Sequence, residues 1–151
     1  MVSTSKLSAN GGKFITNGTK YRSIVGALQY AVVTHPNIAY SVNKVFQFMH
    51  APCDILFQAV KRILRYLQDI ADNGLRFTSS SRLSLTTFVD ATWASDVDDR
   101  RSTSGFCIYF RGNLISWSSH KQQVVARSTA EAEYRSVAST PADLSVDYGF
   151  S

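Results

Sequence analysis

The sequence predicts an α+β protein, with a cluster of helices in its first half followed by a three-stranded antiparallel sheet with one helix. Between Tyr21 and Leu67, apolar residues recur every three or four positions, the spacing of amphipathic helices. Three short segments in the second half, 84–89, 105–110 and 114–118, are instead rich in β-branched and aromatic residues. Helical segments followed by strands are typical of the α+β class.

Composition divides the chain into three parts and a linker. Residues 1–19 are mainly Ser, Thr, Asn, Gly and Lys, a composition typical of a disordered tether. Residues 20–78 carry the helical pattern. The Ser-rich stretch 78–81 is the expected linker, and residues 82–151 form the second domain.

Three helices are expected in residues 20–78, each bounded by a proline or a cap. The first ends at His35-Pro36, because the residue before a proline disfavours the helical conformation. The second begins at Pro36 or Asn37 and ends before Ala51-Pro52. Asp54 stands where a side-chain cap of the third helix is expected. The apolar stripe of that helix consists of Phe57, Val60, Ile63, Leu64 and Leu67.

The second domain is expected to begin with a strand over residues 84–89. A hairpin follows, with strands at 105–110 and 114–118 joined by a tight turn at residues 111–113. A polar connection then leads to a helix that begins at Ser128. This order predicts an antiparallel three-stranded sheet with the helix against one face.

Two carboxylates of this domain are candidate metal ligands. Asp90 follows the first strand, and Glu133 lies on the helix side that is expected to face the sheet. Glu131 has a structural role instead: Ser128 and Glu131 form a capping box, in which each side chain accepts from the other residue's amide. Two partly buried acids that converge from a strand and a helix suit a divalent cation with oxygen ligands. The alternative is that Asp90 is a turn residue and Glu133 an exposed helix residue.

Other candidate sites are weaker. Asp96, Asp98 and Asp99 lack the glycine and the closing glutamate of a calcium loop, so we expect a solvated loop with local ion pairs. Cys53 and Cys107 fit no zinc or disulfide spacing, and both are expected to be buried and reduced. The sequence contains no glycine-rich phosphate loop.

The net charge of +5 is unevenly distributed along the chain. Residues 1–80 contain nine basic and three acidic residues, whereas residues 81–151 contain seven basic and eight acidic residues. A basic first half is compatible with a polyanionic partner, although the cations of the third helix can equally form a solvated face. Since no membrane span and no signal-peptide core are found, we expect an intracellular protein, cytoplasmic or nuclear, without a membrane partner.

Seven sequence motifs lie in continuous order between residues 21 and 138. They are Tyr21–Tyr30, His35–Tyr40, Gln47–Pro52, Ala59–Leu67, Asp98–Gly105, Ile115–Ser119 and Ser128–Arg135. In this order they closely resemble the Pol polyprotein of copia-type long-terminal-repeat retrotransposons.

The resemblance implies that residues 21–78 are the end of a reverse transcriptase and that residue 83 begins a ribonuclease H-like fold. Ribonuclease H domains cleave the RNA strand of an RNA–DNA hybrid with two Mg²⁺ ions held by acidic residues. By this resemblance, Asp90 and Glu133 are the first two catalytic, metal-binding acids. It also places four residues near the backbone of the hybrid, namely Arg100, Arg101, Ser128 and Thr129.

The sequence departs from the family pattern in its last part. The family's third and fourth acids come on later segments without a counterpart here, and Pro141 interrupts the expected helix. We therefore expect an incomplete ribonuclease H-like fold and an inactive isolated chain. The implied partners are an RNA–DNA hybrid or other nucleic acid and the remainder of a Pol protein, with Mg²⁺ and no small-molecule cofactor. Two alternatives stay open: a non-catalytic module that binds nucleic acid or protein through the basic half, and an unselected retroelement relic.

Overall fold

A computed structural model describes residues 7–8 and 12–148 of the 151-residue chain, with side chains up to residue 140. The chain divides into two compact units, Met1–Leu75 (the helical unit) and Arg76–Ser151 (the sheet unit). The predicted α+β class is confirmed, because the described helices accompany one three-stranded antiparallel sheet. In chain order the elements are α1 (Gly18–Ala31), a short 3-10 helix (Pro36–Ile38), α2 (Ala39–Phe46), α3 (Asp54–Asp69), β1 (Leu85–Thr92), β2 (Thr103–Phe110), β3 (Asn113–Lys121) and α4 (Thr129–Tyr148).

The helical unit is built around one apolar core to which α1, α2 and α3 each contribute a face. Tyr21 is buried in this core, and its hydroxyl donates to the Val45 carbonyl at 2.7 Å, so its polar atom is satisfied. Burial raises the pKa of Tyr21 far above its ordinary range. The buried residues of this core are Tyr21, Val25, Leu28, Ile38, Val42, Val45, Phe48, Cys53, Leu56, Val60 and Ile63.

Four of the five predicted stripe residues of α3 are buried in the core or packed against it, namely Phe57, Val60, Ile63 and Leu67. Leu56, Val60 and Ile63 are buried, whereas Leu64, a predicted stripe residue, is 40% exposed. Successive residues lie about 100° apart on a helix, so Leu64 turns away from the face that Ile63 buries. The helix was therefore predicted correctly, but its stripe begins one residue earlier than expected.

The predicted cap of α3 is wrong. Asp54 is the first residue of the helix, and its carboxylate accepts from the Ile55 amide at 2.8 Å. Cys53 occupies the N-cap position and makes no capping bond with its side chain. Cys53 is buried as predicted, but Cys107 is only half-buried, because it lies on the sheet face that α4 does not cover.

The described residues before α1 depart from the expected tether. Phe14 forms an antiparallel bridge with Cys53, and the Ile15 amide donates to the Pro52 carbonyl at 3.2 Å. Asn17 then caps α1, because its side-chain oxygen accepts from the Lys20 amide at 3.0 Å. These residues belong to the helical unit, while residues 1–6 and 9–11 lie outside the described part of the chain.

The sheet of the second unit has the order β1-β2-β3, with both pairs antiparallel. The predicted hairpin is confirmed: Phe110 pairs with Asn113, and the turn between them is Arg111-Gly112. Both turn residues have left-handed backbones, with φ of 54° and 80°. Positive φ at both central positions matches the right-handed twist of the flanking strands, which is why this turn closes the hairpin tightly.

One face of the sheet packs against α4, which contacts β1 and β2. Ala91 of β1 forms a small buried cluster with Ala126 and Ala132. Phe106 and Ile108 of β2 are buried on the same face, since residues paired across strands share a face. Small side chains at this contact let α4 approach the end of β1 closely.

The helix α4 begins at Thr129 and continues through Pro141 to Tyr148, so the predicted interruption at Pro141 is wrong. A proline removes one hydrogen bond within a helix and clashes with the preceding turn. In that turn the hydroxyls of Ser139 and Thr140 donate to the Ser136 carbonyl at 3.0 and 2.9 Å, and these hydrogen bonds stabilise the turn before the proline. No helix in the described part of the chain is both long and apolar enough to cross a membrane.

Candidate functional site

Asp90 lies inside β1, because that strand runs on to Thr92 instead of ending at residue 89 as predicted. Its carboxylate accepts from the Ala91 amide at 2.8 Å, and its side chain is exposed. Gly105 is its cross-strand partner on β2. A Cβ at Gly105 would lie 3.5 Å from the Ser118 carbonyl oxygen, so the strands approach each other closely beside Asp90.

Glu133 lies on α4, and it is exposed as well. The buried side of this helix is formed by Ala132, Ser136 and Thr140, which are spaced four residues apart. The expectation that both acids are partly buried is therefore wrong, because Glu133 flanks the buried row and does not belong to it. Their exposure removes the desolvation cost and leaves both carboxylates open to solvent.

The two acids lie on elements that are hydrogen-bonded to each other beside Asp90. The Ser136 hydroxyl donates to the Asp90 carbonyl at 3.0 Å. Glu133 precedes Ser136 by three residues, so it lies on the same side of α4, one turn towards the helix N-terminus. The hydrogen bond thus places the backbone of Asp90 next to α4, whereas the Asp90 side chain alternates with that of Ala91 and leaves β1 on the sheet face of Cys107.

Gln122 holds α4 to the sheet beside this site, a role that the sequence pattern does not indicate. Its side-chain nitrogen donates to the Ser104 hydroxyl and to the Ala132 carbonyl, both at 2.9 Å. The side chain is buried, and its oxygen has no hydrogen-bond partner among the residues that the structure describes. Residues 120–123 looked like a polar connection, and nothing in that pattern separates the buried Gln122 from the exposed Gln123.

The start of α4 is capped by the predicted pair, with one correction. The Glu131 amide donates to the Ser128 hydroxyl at 3.1 Å, as expected. The Glu131 carboxylate, however, accepts from the Arg127 amide at 2.7 Å and not from the amide of Ser128. Arg135, one turn later, donates to the same carboxylate at 2.8 Å. These donors, led by the Arg127 amide, lower the pKa of Glu131.

The other predicted contact residues lie at two places in the sheet unit. Arg100 and Arg101 are in the loop between β1 and β2, and Ser128 and Thr129 are at the start of α4. All four are exposed. Exposed guanidinium groups and hydroxyls of this kind are suited to contact phosphate oxygens.

The loop between β1 and β2 is not the fully solvated loop that the sequence predicted. Asp96 is 3% exposed, and its carboxylate accepts from the Asp98 and Asp99 amides at 2.9 and 3.3 Å. Lys121 of β3 lies 2.8 Å from both the Asp96 and the Asp99 carboxylates. The expected local pair is also present, because Arg101 lies 3.4 Å from Asp99.

The buried ion pair of this loop favours the charged forms of both partners. Burial raises the pKa of Asp96, but the hydrogen bonds from Lys121 and the loop amides outweigh it, so the pKa falls below its ordinary value. Burial likewise lowers the pKa of Lys121, but the two carboxylates outweigh this and raise it. Asp96 and Lys121 therefore stay paired across the neutral pH range.

Within the described ranges, no cluster of three or more His, Cys, Asp and Glu side chains could hold a metal ion. The donor chemistry of Asp90 and Glu133 nevertheless fits Mg²⁺, which prefers carboxylate oxygens. Two carboxylates supply only part of a coordination shell.

The helical unit carries a separate basic surface on α3. Lys61, Arg62 and Arg65 are exposed, and together with Gln58 and Leu64 they line a shallow groove. The Lys61 ammonium lies 5.1 Å from the centre of the Phe57 ring, which orients its stem. This surface is a second candidate for contact with a polyanion.

The chain is thus a two-unit α+β protein whose sheet unit has an open sheet and two exposed carboxylates on adjoining elements. It is 48% identical over 144 residues to the retrovirus-related Pol polyprotein from transposon RE1 of Arabidopsis thaliana, and 46% identical over 144 residues to that from transposon RE2. Both alignments cover 95% of this chain and 10% of the relative. It is also 47% identical over 115 residues to secreted RxLR effector protein 161 of Plasmopara viticola, covering 76% of this chain and 81% of that protein.

The chain belongs to the family of retrovirus-related Pol polyproteins from transposons. It spans about a tenth of the length of the two Arabidopsis relatives. No protein-family model matches it. No solved structure matches it either.

Proposed function

We propose that the sheet unit is part of a ribonuclease H domain of a copia-type Pol protein, which acts on the RNA strand of an RNA–DNA hybrid. The observation that carries the proposal is the Ser136–Asp90 hydrogen bond, which joins the helix of Glu133 to the strand of Asp90. Membership of the Pol family supports it. In the same proposal, residues 20–78 are the end of a reverse transcriptase.

Asp90 and Glu133 would hold Mg²⁺ in this proposal. When bound, Mg²⁺ ions supply an activated water and neutralise the developing charge on the leaving oxygen. The chain's own contribution is to present two exposed carboxylates from two rigid elements. Since no third ligand accompanies them among the described residues, further ligands would come from the remainder of a Pol protein. We therefore propose that the isolated chain binds the hybrid without cleaving it.

The contact with the hybrid would be made through its phosphate backbone. Arg100 and Arg101 offer cations, and Ser128 and Thr129 offer hydroxyls at the N-terminal end of α4. A helix N-terminus carries partial positive charge, which favours an anionic group there. Such contacts position a nucleic acid and carry no sequence information, as expected for a nuclease that acts on a hybrid of any sequence.

A binding and cleavage assay on the full chain tests this proposal. A hybrid with labelled RNA is titrated with the chain and Mg²⁺ at low salt, with duplex DNA and single-stranded RNA as competitors. We expect salt-dependent binding of the hybrid and no RNA fragments. RNA fragments that disappear in the Asp90→Asn variant would show that the chain itself cleaves. Absence of binding at low salt would contradict the proposed interface.

A second candidate function is nucleic-acid binding through the basic surface of α3, without any role for the carboxylates. The three exposed cations of that helix favour it. The two candidates are separated by matched variants: Lys61→Gln with Arg62→Gln and Arg65→Gln on one side, and Arg100→Gln with Arg101→Gln on the other. Loss of binding only in the α3 variant would favour the non-catalytic module, and loss only in the loop variant would favour the ribonuclease H proposal. If the wild-type chain does not bind nucleic acid, the relic alternative is favoured.

A further inference from the structure

The loop between β1 and β2 is organised around the single buried carboxylate of Asp96. Besides accepting from the Asp98 and Asp99 amides, Asp96 engages the loop through its own backbone. Its amide donates to the Arg101 carbonyl at 3.1 Å, and its carbonyl accepts from the Arg100 amide at 3.1 Å. One residue therefore fixes the backbone of residues 98–101.

Lys121 ties this loop to the far strand of the sheet. It stands on β3 opposite Thr103, the residue at which the loop rejoins β2. Its ammonium bridges Asp96 and Asp99, with both distances at 2.8 Å. The side chain of Lys121 is 22% exposed and that of Asp96 is 4% exposed, so this pair is less screened by salt than a surface pair, whereas Asp99 is 39% exposed. The ion pairs of Lys121 with Asp96 and Asp99, here called the clamp, thus join the loop to β3.

The clamp fixes the backbone of Arg100 in an uncommon conformation. Arg100 has a φ of 60°, in the left-handed region that non-glycine residues enter only at a cost. The hydrogen bond from the Arg100 amide to the Asp96 carbonyl stabilises this conformation. The Arg101 guanidinium forms an ion pair with Asp99. The exposed Arg100 side chain therefore extends from a fixed backbone position, and the charge of the neighbouring Arg101 is already paired with Asp99.

We propose that Asp96 and Lys121 are positioning residues, which hold Arg100 so that its guanidinium meets a phosphate of the bound nucleic acid. The inference rests on the proposed function, because it names what presents one contact of that interface. Asp96 and Lys121 act through the loop and do not touch the nucleic acid themselves. A preorganised arginine loses less conformational freedom on binding than one on a mobile loop, and this raises affinity.

A double-mutant cycle on the full chain tests the coupling between the clamp and Arg100. The variants are Asp96→Ala, Arg100→Gln and the double variant, each titrated with an RNA–DNA hybrid over a range of salt. We expect Arg100→Gln to lower the slope of log affinity against log salt by about one, the value for one lost phosphate contact. Asp96→Ala should weaken binding several-fold in the wild-type background and much less in the Arg100→Gln background. Arg82→Gln, at another exposed arginine of the sheet unit, serves as the control background. In that background Asp96→Ala should weaken hybrid binding as much as it does in the wild type.

Two further measurements separate a positioning role from a structural one. Lys121→Met removes the ion pairs from the sheet side and serves as the test variant if Asp96→Ala folds poorly. It should weaken hybrid binding as Asp96→Ala does. Lys121→Arg keeps the charge and should bind the hybrid as the wild type does. Amide hydrogen exchange at residues 98–100 should speed up in Asp96→Ala while exchange in β2 stays slow. Unchanged exchange at 98–100, or losses that simply add in the cycle, would overturn the inference. Wild-type chain that does not bind the hybrid would instead overturn the proposed function, and the exchange result would still report on the clamp.

Discussion

The helical unit and the sheet unit are held together by different kinds of contact. The helical core consists mainly of apolar side chains from α1, α2 and α3, with Tyr21 as its largest fully buried member. In the sheet unit, many of the described buried residues are polar. They are Asp96, Ser102, Thr103, Ser104, Ser116, Gln122, Ser136 and Thr140. The difference implies that the first unit depends on packing, while the second depends on satisfied hydrogen bonds and is sensitive to small polar changes.

The largest effect is expected in the helical core. Leu56→Ala should lower the free energy of unfolding of the helical unit by about 2–5 kcal/mol, because Leu56 is fully buried and a cavity would remain. Leu64→Ala is the matched control on the same helix, and its cost should stay below about 1 kcal/mol, since Leu64 is 40% exposed. Urea denaturation followed by circular dichroism measures both. Equal costs would show that the helical unit is not held by this core.

A smaller effect is expected when the polar contact between α4 and the sheet is removed. Gln122→Ala leaves the Ser104 hydroxyl and the Ala132 carbonyl without their donor, at a cost of about 1–3 kcal/mol to the sheet unit. Gln123→Ala, at the exposed neighbouring position, should change stability by less than about 0.5 kcal/mol. The fluorescence of Trp93 and Trp117, both in the sheet unit, reports this transition. If Gln122→Ala is as stable as Gln123→Ala, the stability of the sheet unit does not depend on this polar contact.

What the sequence predicted correctly is local. The three-and-four spacing of apolar residues located α1 and α3, and the Arg111-Gly112 turn located the hairpin, because both signals lie within a few neighbouring residues. The contacts it missed join distant positions: Asp96 pairs with Lys121, 25 residues later, and Gln122 reaches the helix carbonyl at Ala132. No periodicity encodes such pairs, since they depend on how the strands and α4 are placed in three dimensions.

The candidate site shows the same division. The sequence predicted the strand of Asp90 and the helix of Glu133, and its resemblance to the Pol family is confirmed by the relatives. That the two acids form one site stays a prediction. It did not predict that both carboxylates are exposed or that Ser136 joins their elements. Burial of a helix residue depends on which face the sheet occupies, and one position of rotation separates the exposed Glu133 from the buried Ala132.

A still smaller effect is expected at the hydrogen bond beside Asp90. Ser136→Ala removes the donor to the Asp90 carbonyl and should destabilise the sheet unit by about 1 kcal/mol. Ser139→Ala serves as control, because its hydroxyl donates only within α4, to the Ser136 carbonyl. Hydrogen exchange should rise at the end of β1 in Ser136→Ala and not in Ser139→Ala. A uniform rise in both variants would mean that the bond does not hold α4 against this strand.

The smallest effect is expected at the solvent-exposed cap of α4, and it depends on pH. The pKa of Glu131 is lowered in the folded chain by the Arg127 amide and then by Arg135, so its charged form is favoured by folding. Its contribution is complete above its unfolded pKa, about 4.3, and is lost as the pH falls through the lower folded value. The stability difference between wild type and Glu131→Gln should therefore be larger at pH 6 than at pH 3. Arg135→Met should reproduce only part of this difference, since the bond from the Arg127 amide remains, and added salt should reduce the Arg135 part alone. A difference between wild type and Glu131→Gln that is constant from pH 6 to pH 3 would mean that this carboxylate does not stabilise the helix start through its charge.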